Sequence, residues 1–153
     1  MPYRIALTAS LLCLLALTIS AQRQKTNDFA DFLNALTMVE SGGNPSAYNP
    51  NEKAIGVLQI RPIMVAEYNR LTGQSAEHVQ AWHAPWSFML AETVLRAYAD
   101  LIAREQGVPA TWQQLAYCWN GGLSARHRVA HPRRDPKQIN LERYWQKVRV
   151  YLE

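Results

Sequence analysis

The stretch that decides the fold covers residues 40–62 and reads ESGGNPSAYNPNEKAIGVLQIRP. Its first residue, Glu40, ends a predicted amphipathic helix whose apolar residues recur at three- and four-residue steps, namely Phe29, Phe32, Leu33, Leu36 and Val39. Gly42-Gly43 stops this helix, and Asn44-Pro45 prevents a restart. The remainder is rich in Asn, Pro and Ser, so it predicts a loop with at most a small β-hairpin around residues 48–58.

Glu40 breaks the amphipathic rule of its own helix. Because successive side chains rotate by about 100°, Glu40 falls between Leu33 and Leu36 on the apolar face. Burial raises the pKa of a carboxyl group, and the negative end of the helix dipole acts in the same direction. A carboxylic acid that is still protonated near neutral pH can protonate the leaving oxygen of a glycosidic bond. The alternative is that Glu40 only marks a frayed helix end, with its side chain in water.

Helical periodicity continues through the rest of the chain. The predicted elements are a helix over Pro62–Leu71 closed by Gly73, a short helix over Ser75–Trp82, a long core helix along the stripe from Trp86 to Ile102, a short helix capped by Thr111 and Gln114 that stops at Gly121-Gly122, a basic loop over Arg126–Arg134, and a last helix from about Gln138. Gly107 and Pro109 end the core helix. Strand signals are nearly absent, so the predicted fold class is mainly α.

The amino end has the pattern of a signal peptide. Arg4 precedes an apolar run from Ile5 to Ile19, and Ser20-Ala21 supplies small residues before a polar stretch. We therefore predict a signal peptide over residues 1–21, a short linker over 22–27 and one domain over 28–153. The alternative is an uncleaved anchor through residues 5–21, although this run is short for a span of roughly 20 residues. Either way the protein is expected to be exported, to the periplasm, the cell envelope or the medium.

Composition limits the partners. Hydrophobic residues make up 48% of the 153 residues and charged residues 18%, which is typical of a globular domain. Without residues 1–21, Cys118 is the remaining cysteine, so no internal disulfide is expected. The formal net charge of +4 suits an anionic polymer such as the cell wall. Nucleic acid would also satisfy this charge, but export argues against that partner.

His127 and His131 lack a third ligand nearby, so we expect no metal. We also expect no cofactor, and a monomer.

Three ordered motifs carry a family resemblance. Residues 40–62 resemble the signature Glu-Ser, then Asn-Pro, then Gly-Leu-x-Gln-Ile-x-Pro of the soluble lytic transglycosylase (SLT) domain family, in the lysozyme-like superfamily. Residues 119–122 (Trp-Asn-Gly-Gly) and 144–148 (Tyr-Trp-Gln-Lys-Val) resemble its second motif and terminal helix. The resemblance implies a lysozyme-like helical domain that acts on the glycan strands of peptidoglycan. It also implies that Glu40 is the catalytic acid and later the base, and that Ser41, Gln59 and Asn120 bind substrate.

Two positions depart from the family pattern. Family members commonly place a Tyr where Trp119 stands, and its hydroxyl bonds the catalytic carboxylate. A Trp offers only an indole N–H, so we predict that Trp119 stacks on a sugar instead, or that Tyr117 supplies the hydroxyl. The loop between Pro45 and Gly56 is one residue longer than the commonest form, which blurs the match of Asn49 to a cleft residue. Asn49 and Tyr117 are kept as candidate substrate-binding residues.

The reaction depends on whether a second carboxylate is present. A hydrolytic lysozyme usually needs one, and the candidates are Glu52, Glu67 and Glu92. Each has a local pattern more typical of a solvated charge, so the one-carboxylate transglycosylase reaction that the resemblance implies fits better. It cleaves the β-1,4 bond between N-acetylmuramic acid and N-acetylglucosamine and leaves a 1,6-anhydro ring. A hydrolytic muramidase and a non-catalytic peptidoglycan-binding module remain alternatives. Small members of the family often serve a cell-envelope machine, which would be a further partner.

Overall fold

The computed structural model describes residues 28–153, and the predicted signal peptide and linker lie outside these residues. The chain divides between Asp31 and Phe32 into two compact units, and of the first unit only residues 28–31, the start of a helix, are described. The described α-helices are α1 over residues 28–41, α2 over Pro62–Thr72, α3 over Ala84–Gln106, α4 over Trp112–Gly121 and α5 over Pro136–Val150. The mainly α, lysozyme-like fold class is therefore confirmed.

Helix α1 ends where the sequence predicts. Gly42 and Gly43 have φ of 63° and 82°. Their N–H groups donate to the carbonyl oxygens of Met38 and Thr37, at 3.1 and 3.4 Å. These positive φ values favour glycine, and the two bonds satisfy carbonyls at the end of the helix. The stop fixes Glu40 in the last turn of α1, next to the loop that follows.

The predicted hairpin is present and is very short. Strands β1 (Tyr48–Asn49) and β2 (Ala54–Ile55) pair antiparallel, with Tyr48 opposite Ile55. At Gly56, φ is 75°, and a Cβ atom would lie 2.1 Å from the carbonyl oxygen of Ala81. The chain can pass this close to Ala81 only because Gly56 has no side chain, so the glycine holds the hairpin against the segment before α3.

Helices α2 and α3 follow their predicted signals with two corrections. Gly73 and Gly107 close them with φ of 71° and 72°. The predicted helix over Ser75–Trp82 is wrong in extent, because only His78–Trp82 forms a 3₁₀-helix. The predicted apolar stripe of α3 is displaced, since Met89 is 44% exposed while Ser87 and Ala91 are on the buried face. No helix among residues 28–153 combines the length and apolar character needed to cross a bilayer.

The carboxyl-terminal half packs α4 and α5 together. Thr111 and Gln114 form the predicted reciprocal cap at the start of α4. The prediction of a loop over Arg126–Arg134 is wrong in part, because its first residues belong to a 3₁₀-helix over Leu123–Arg128. Two ion pairs hold that helix, from Arg126 to Glu105 and from Arg128 to Asp135, at 2.8 and 2.7 Å. The basic segment is therefore partly neutralised by neighbouring acids.

Candidate active site

The Glu40 carboxylate lies where α1, α4 and α5 meet. Its Oε1 atom accepts hydrogen bonds from the Tyr144 hydroxyl at 2.6 Å and from the Trp119 indole N–H at 3.1 Å. Tyr144 is on α5 and Trp119 on α4, and 9% and 4% of their surfaces are exposed. No hydrogen bond from residues 28–153 reaches Oε2. Because both donors hold Oε1 as an acceptor, a proton on this carboxyl group resides on Oε2, which stays available to a ligand.

The surroundings of Glu40 favour its protonated form. Burial raises the pKa of Glu40, and it outweighs the opposing effects of the Tyr144 hydrogen bond, the Arg61 charge and the Trp119 hydrogen bond. Burial and the neighbouring carboxylate also raise the pKa of Tyr144 well above its usual value. The phenol therefore remains a donor over the whole working range of pH. The frayed-end alternative for Glu40 does not fit this arrangement, since a side chain directed into water would have neither donor.

Arg61 links this carboxylate to the end of α4. Its Nη2 atom donates to the backbone carbonyl oxygens of Trp119 and Asn120, at 3.1 and 3.5 Å. Its Nη1 atom lies 3.8 Å from Glu52 Oε2. A guanidinium at the carbonyl end of a helix is stabilised by the helix dipole. Arg61 thus fixes the turn that carries Trp119, and its charge lowers the pKa of Glu40 and limits the increase that burial causes.

The loop side of the site is built by Ser41 and Gln59. The Ser41 hydroxyl donates to the carbonyl oxygen of Val57 at 2.7 Å, so it joins the end of α1 to the following loop. The Gln59 side-chain amide donates to the carbonyl oxygens of Ala47 and Gly56, at 3.2 and 3.0 Å. Gln59 also has φ of 47°, a left-handed conformation that is uncommon for a residue other than glycine. Both side chains therefore brace the loop, and their contacts with a substrate stay predictions.

Two predicted substrate-binding residues occupy more open positions. Asn120 is exposed at the end of α4. Asn49 is partly exposed in β1, and its side-chain oxygen accepts a hydrogen bond from the Asn51 N–H at 3.1 Å. Asn120 directly follows Trp119, whose indole bonds Glu40, and its contact with a substrate stays a prediction. Asn49 stays a prediction that rests on the motif.

Two expectations about aromatic residues are wrong. Tyr117 is completely buried, packs with Ala125 and Leu141, and its hydroxyl oxygen accepts weak hydrogen bonds from two glutamines. It can neither touch a substrate nor bond Glu40. Trp119 is 4% exposed, so its ring is not an open platform for a sugar. Its indole N–H instead supplies the hydrogen bond to Glu40 that a tyrosine hydroxyl was expected to make.

The sequence did not single out Tyr144 or Arg61 as partners of Glu40. Tyr144 lies on the apolar face of the last helix with Leu141 and Val148, a position typical of a core residue. The signal that could have found it is its hydroxyl, because a buried tyrosine usually finds a hydrogen-bond partner. Arg61 occupies the variable position before Pro62 in the motif. Nothing local marks it, since the carbonyl oxygens that accept its hydrogen bonds lie 58 and 59 residues further along the chain.

The other candidate carboxylates are engaged in ion pairs. Glu67 and Glu92 pair with the arginines three and four residues later, at 2.7 and 2.8 Å. Glu52 is 56% exposed at the side chain and lies near Arg61. Its negative charge raises the pKa of Glu40 slightly, as the smallest of the named effects. Within residues 28–153 no cluster of three or more His, Cys, Asp and Glu side chains could hold a metal ion.

Comparison with known proteins agrees with the motifs. Residues 18–141 match the family model described as the transglycosylase SLT domain. The match includes Glu40, Gln59 and Trp119, whereas Tyr144 lies just beyond it. No curated protein and no solved structure matches the chain.

Proposed function

Because the chain belongs to the transglycosylase SLT domain family, we propose that it is a lytic transglycosylase that cleaves the β-1,4 bond after N-acetylmuramic acid in peptidoglycan. A transglycosylase or lysozyme-like action on peptidoglycan follows from the family. The proposed catalytic role of Glu40 is carried by one observation: its Oε1 is held by two donors, while Oε2 is left for the substrate. Glu40 is the proposed acid and, after bond cleavage, the base.

The first step transfers the proton from Glu40 Oε2 to the glycosidic oxygen, and the bond from that oxygen to the muramic acid C1 breaks. The substrate's N-acetyl group stabilises the cation that forms, as in other substrate-assisted reactions. Glu40 is now negatively charged, and the hydrogen bonds from Tyr144 and Trp119 and the charge of Arg61 stabilise that charge. Burial keeps the proton on the acid before the step, and these three groups make its loss feasible.

In the second step the same carboxylate accepts the proton of the muramic acid 6-hydroxyl. That oxygen attacks C1 and closes the 1,6-anhydro ring, so no water enters the product. This route needs no second carboxylate. The ion pairs of Glu67 and Glu92 and the exposure of Glu52 support it over hydrolysis, which would require one of them to activate water.

Product analysis tests the proposal. Peptidoglycan digested with the protein should release muropeptides with 1,6-anhydro ends, which are 18 Da lighter than the hydrolysed species by the loss of one water and are distinguished by mass spectrometry. Reducing-end products would identify a hydrolytic muramidase, and unchanged sacculi a binding module. Glu40→Gln should abolish cleavage and keep binding, because the amide retains the shape and has no acidic proton to give. Glu92→Gln is the matched control, since Glu92 forms an exposed ion pair.

The substrate implies a location, and we propose that the protein is exported. The support is the sequence pattern over residues 1–21. Amino-terminal sequencing of the protein recovered from the cell envelope should find a start near Gln22. A start at Met1 would favour the anchor, and recovery from the cytoplasm alone would contradict export.

A further inference from the structure

A cavity lies beside the Glu40 site. It has a volume of about 520 Å³ and lies between the end of α4 and the first half of α5. Its polar lining consists of the cations Arg61 and Lys137 and the carboxamides Asn120 and Asn140, and none of the described acidic residues contributes to it. Cations and carboxamides without a carboxylate provide donors for an anionic ligand with peptide-like polar groups.

Lys137 is positioned at the wall of this cavity. A Cβ atom added at Gly121 would lie 3.6 Å from Lys137 Cε and 2.9 Å from Leu141 Cδ2. The end of the Lys137 side chain therefore lies beside the Gly121 backbone, where an added Cβ would press on Leu141 and not on Lys137. No hydrogen bond or ion pair within residues 28–153 occupies its ammonium group. This cation is thus available to a ligand.

The cavity is adjacent to the proposed catalytic acid. Arg61 belongs to its lining, and the same side chain bonds the carbonyl oxygens of Trp119 and Asn120. Leu141, another lining residue, precedes Tyr144 by three positions on α5, which is less than one helical turn or about 5 Å. A sugar held at Glu40 could therefore extend a branch into the cavity without leaving the protein surface.

We propose that this cavity binds the carboxylate-bearing peptide that branches from the lactyl group of muramic acid, with Lys137 as the specificity-determining cation; this rests on the proposed function. Without its peptide, a glycan strand offers Lys137 and Arg61 only the lactyl carboxylate of each muramic acid, next to the sugar ring, whereas the peptide extends several carboxylates beyond the ring. The volume also lies within the roughly 300–1,000 Å³ typical of small-ligand sites, so it suits a few peptide residues. The protein would then distinguish peptide-bearing glycan from bare glycan.

Binding measurements on the Glu40→Gln protein test this inference without turnover. The ligands are two soluble disaccharides of N-acetylglucosamine and N-acetylmuramic acid, one with its peptide and one without, and affinity is measured by calorimetry. The peptide should tighten binding about five- to tenfold, as expected for a charge-assisted contact near the surface. Adding Lys137→Gln should remove most of this gain, whereas Lys137→Arg should retain it. Lys147→Gln, an exposed lysine on the same helix, is the matched control.

Two results would overturn the inference. One is equal affinity for the two disaccharides, and the other is a loss in the Lys137→Gln protein that is the same for both. Thermal melting of each variant separates a binding loss from a folding loss. The proposed function fails independently: a wild-type protein that binds the peptide-bearing disaccharide but releases no anhydro product would refute the reaction and leave the cavity's role standing.

Discussion

Replacing Tyr144 by Phe tests the arrangement at Glu40 most directly. The change removes one oxygen atom and the 2.6 Å hydrogen bond to Glu40 Oε1, while the ring stays within the packing of α5. Trp119 then remains as the other donor to that oxygen. Because the lost bond stabilises the charged carboxylate, its removal raises the pKa of Glu40 beyond the increase that burial already causes.

The size of the effect follows from the type of bond. A hydrogen bond to a charged group contributes about 1.5–3 kcal/mol, and the partial exposure of Glu40 favours the lower end of this range. In the first step Glu40 gains negative charge, so the lost bond raises the barrier by about 1.5 kcal/mol. This corresponds to a decrease of about tenfold in kcat. Because Tyr144 is only 9% exposed, we do not expect it to contact the substrate, so KM should change little.

The assay is the rate of release of anhydromuropeptides by Tyr144→Phe as a function of pH. Glu40 must be protonated to start the reaction, so activity falls as pH rises through its pKa. A higher pKa should therefore move this alkaline limb to higher pH while the maximum rate falls. Tyr117→Phe is the control, because Tyr117 is also a buried tyrosine but its hydroxyl contacts only glutamines. An alkaline limb that stays in place or moves to lower pH would refute the role assigned to Tyr144.

Two further predictions concern stability. The folded-state pKa of Glu40 lies above its ordinary value, so the free energy of unfolding falls as pH rises between the two values, where the folded state still holds the proton. Glu40→Gln should therefore be more stable than the wild type at pH 7, by about 1 kcal/mol or about 3 °C in Tm. Scanning calorimetry should show that this gain disappears below the ordinary pKa. Gly56→Ala should lower the free energy of unfolding in urea by about 3 kcal/mol or more, because its Cβ would lie 2.1 Å from Ala81 O. Gly73→Ala is the control: with φ of 71° and open space around it, it should lower this free energy by about 1 kcal/mol. Equal losses in the two variants would contradict the close contact at Gly56.

The sequence predicts those parts of the fold that depend on neighbours along the chain. The cap formed by Thr111 and Gln114 and the helix ends at Gly73 and Gly107 are local, since each is decided within about four residues. The extent of Ser75–Trp82 was wrong because a 3₁₀ turn and an α-helix share apolar spacing over so few residues. The predicted apolar stripe of α3 was displaced because the pattern of hydrophobic residues does not reveal that Ser87 is buried and that its hydroxyl forms a hydrogen bond there.

The site is less predictable because it depends on contacts between distant segments. The periodicity of α1 placed Glu40 on an inward face, and the motif selected it. Its donors, however, lie 79 and 104 residues away. Tyr117 and Tyr144 both stand in apolar stripes, so the sequence offers no local reason to prefer one. Packing alone decides that Tyr144 reaches the carboxylate and that Tyr117 does not.

The meeting of α1, α4 and α5 at Glu40 has a consequence for biosynthesis. A nascent chain that has emerged as far as α4 already contains the glutamate, yet it lacks the phenol that α5 provides. Its carboxyl group would be solvated and ionised, so such an intermediate would lack the protonated acid that the proposed reaction needs. The proposed cleavage is thereby delayed until the last of these helices has docked, and loosening that helix would switch the chemistry off again.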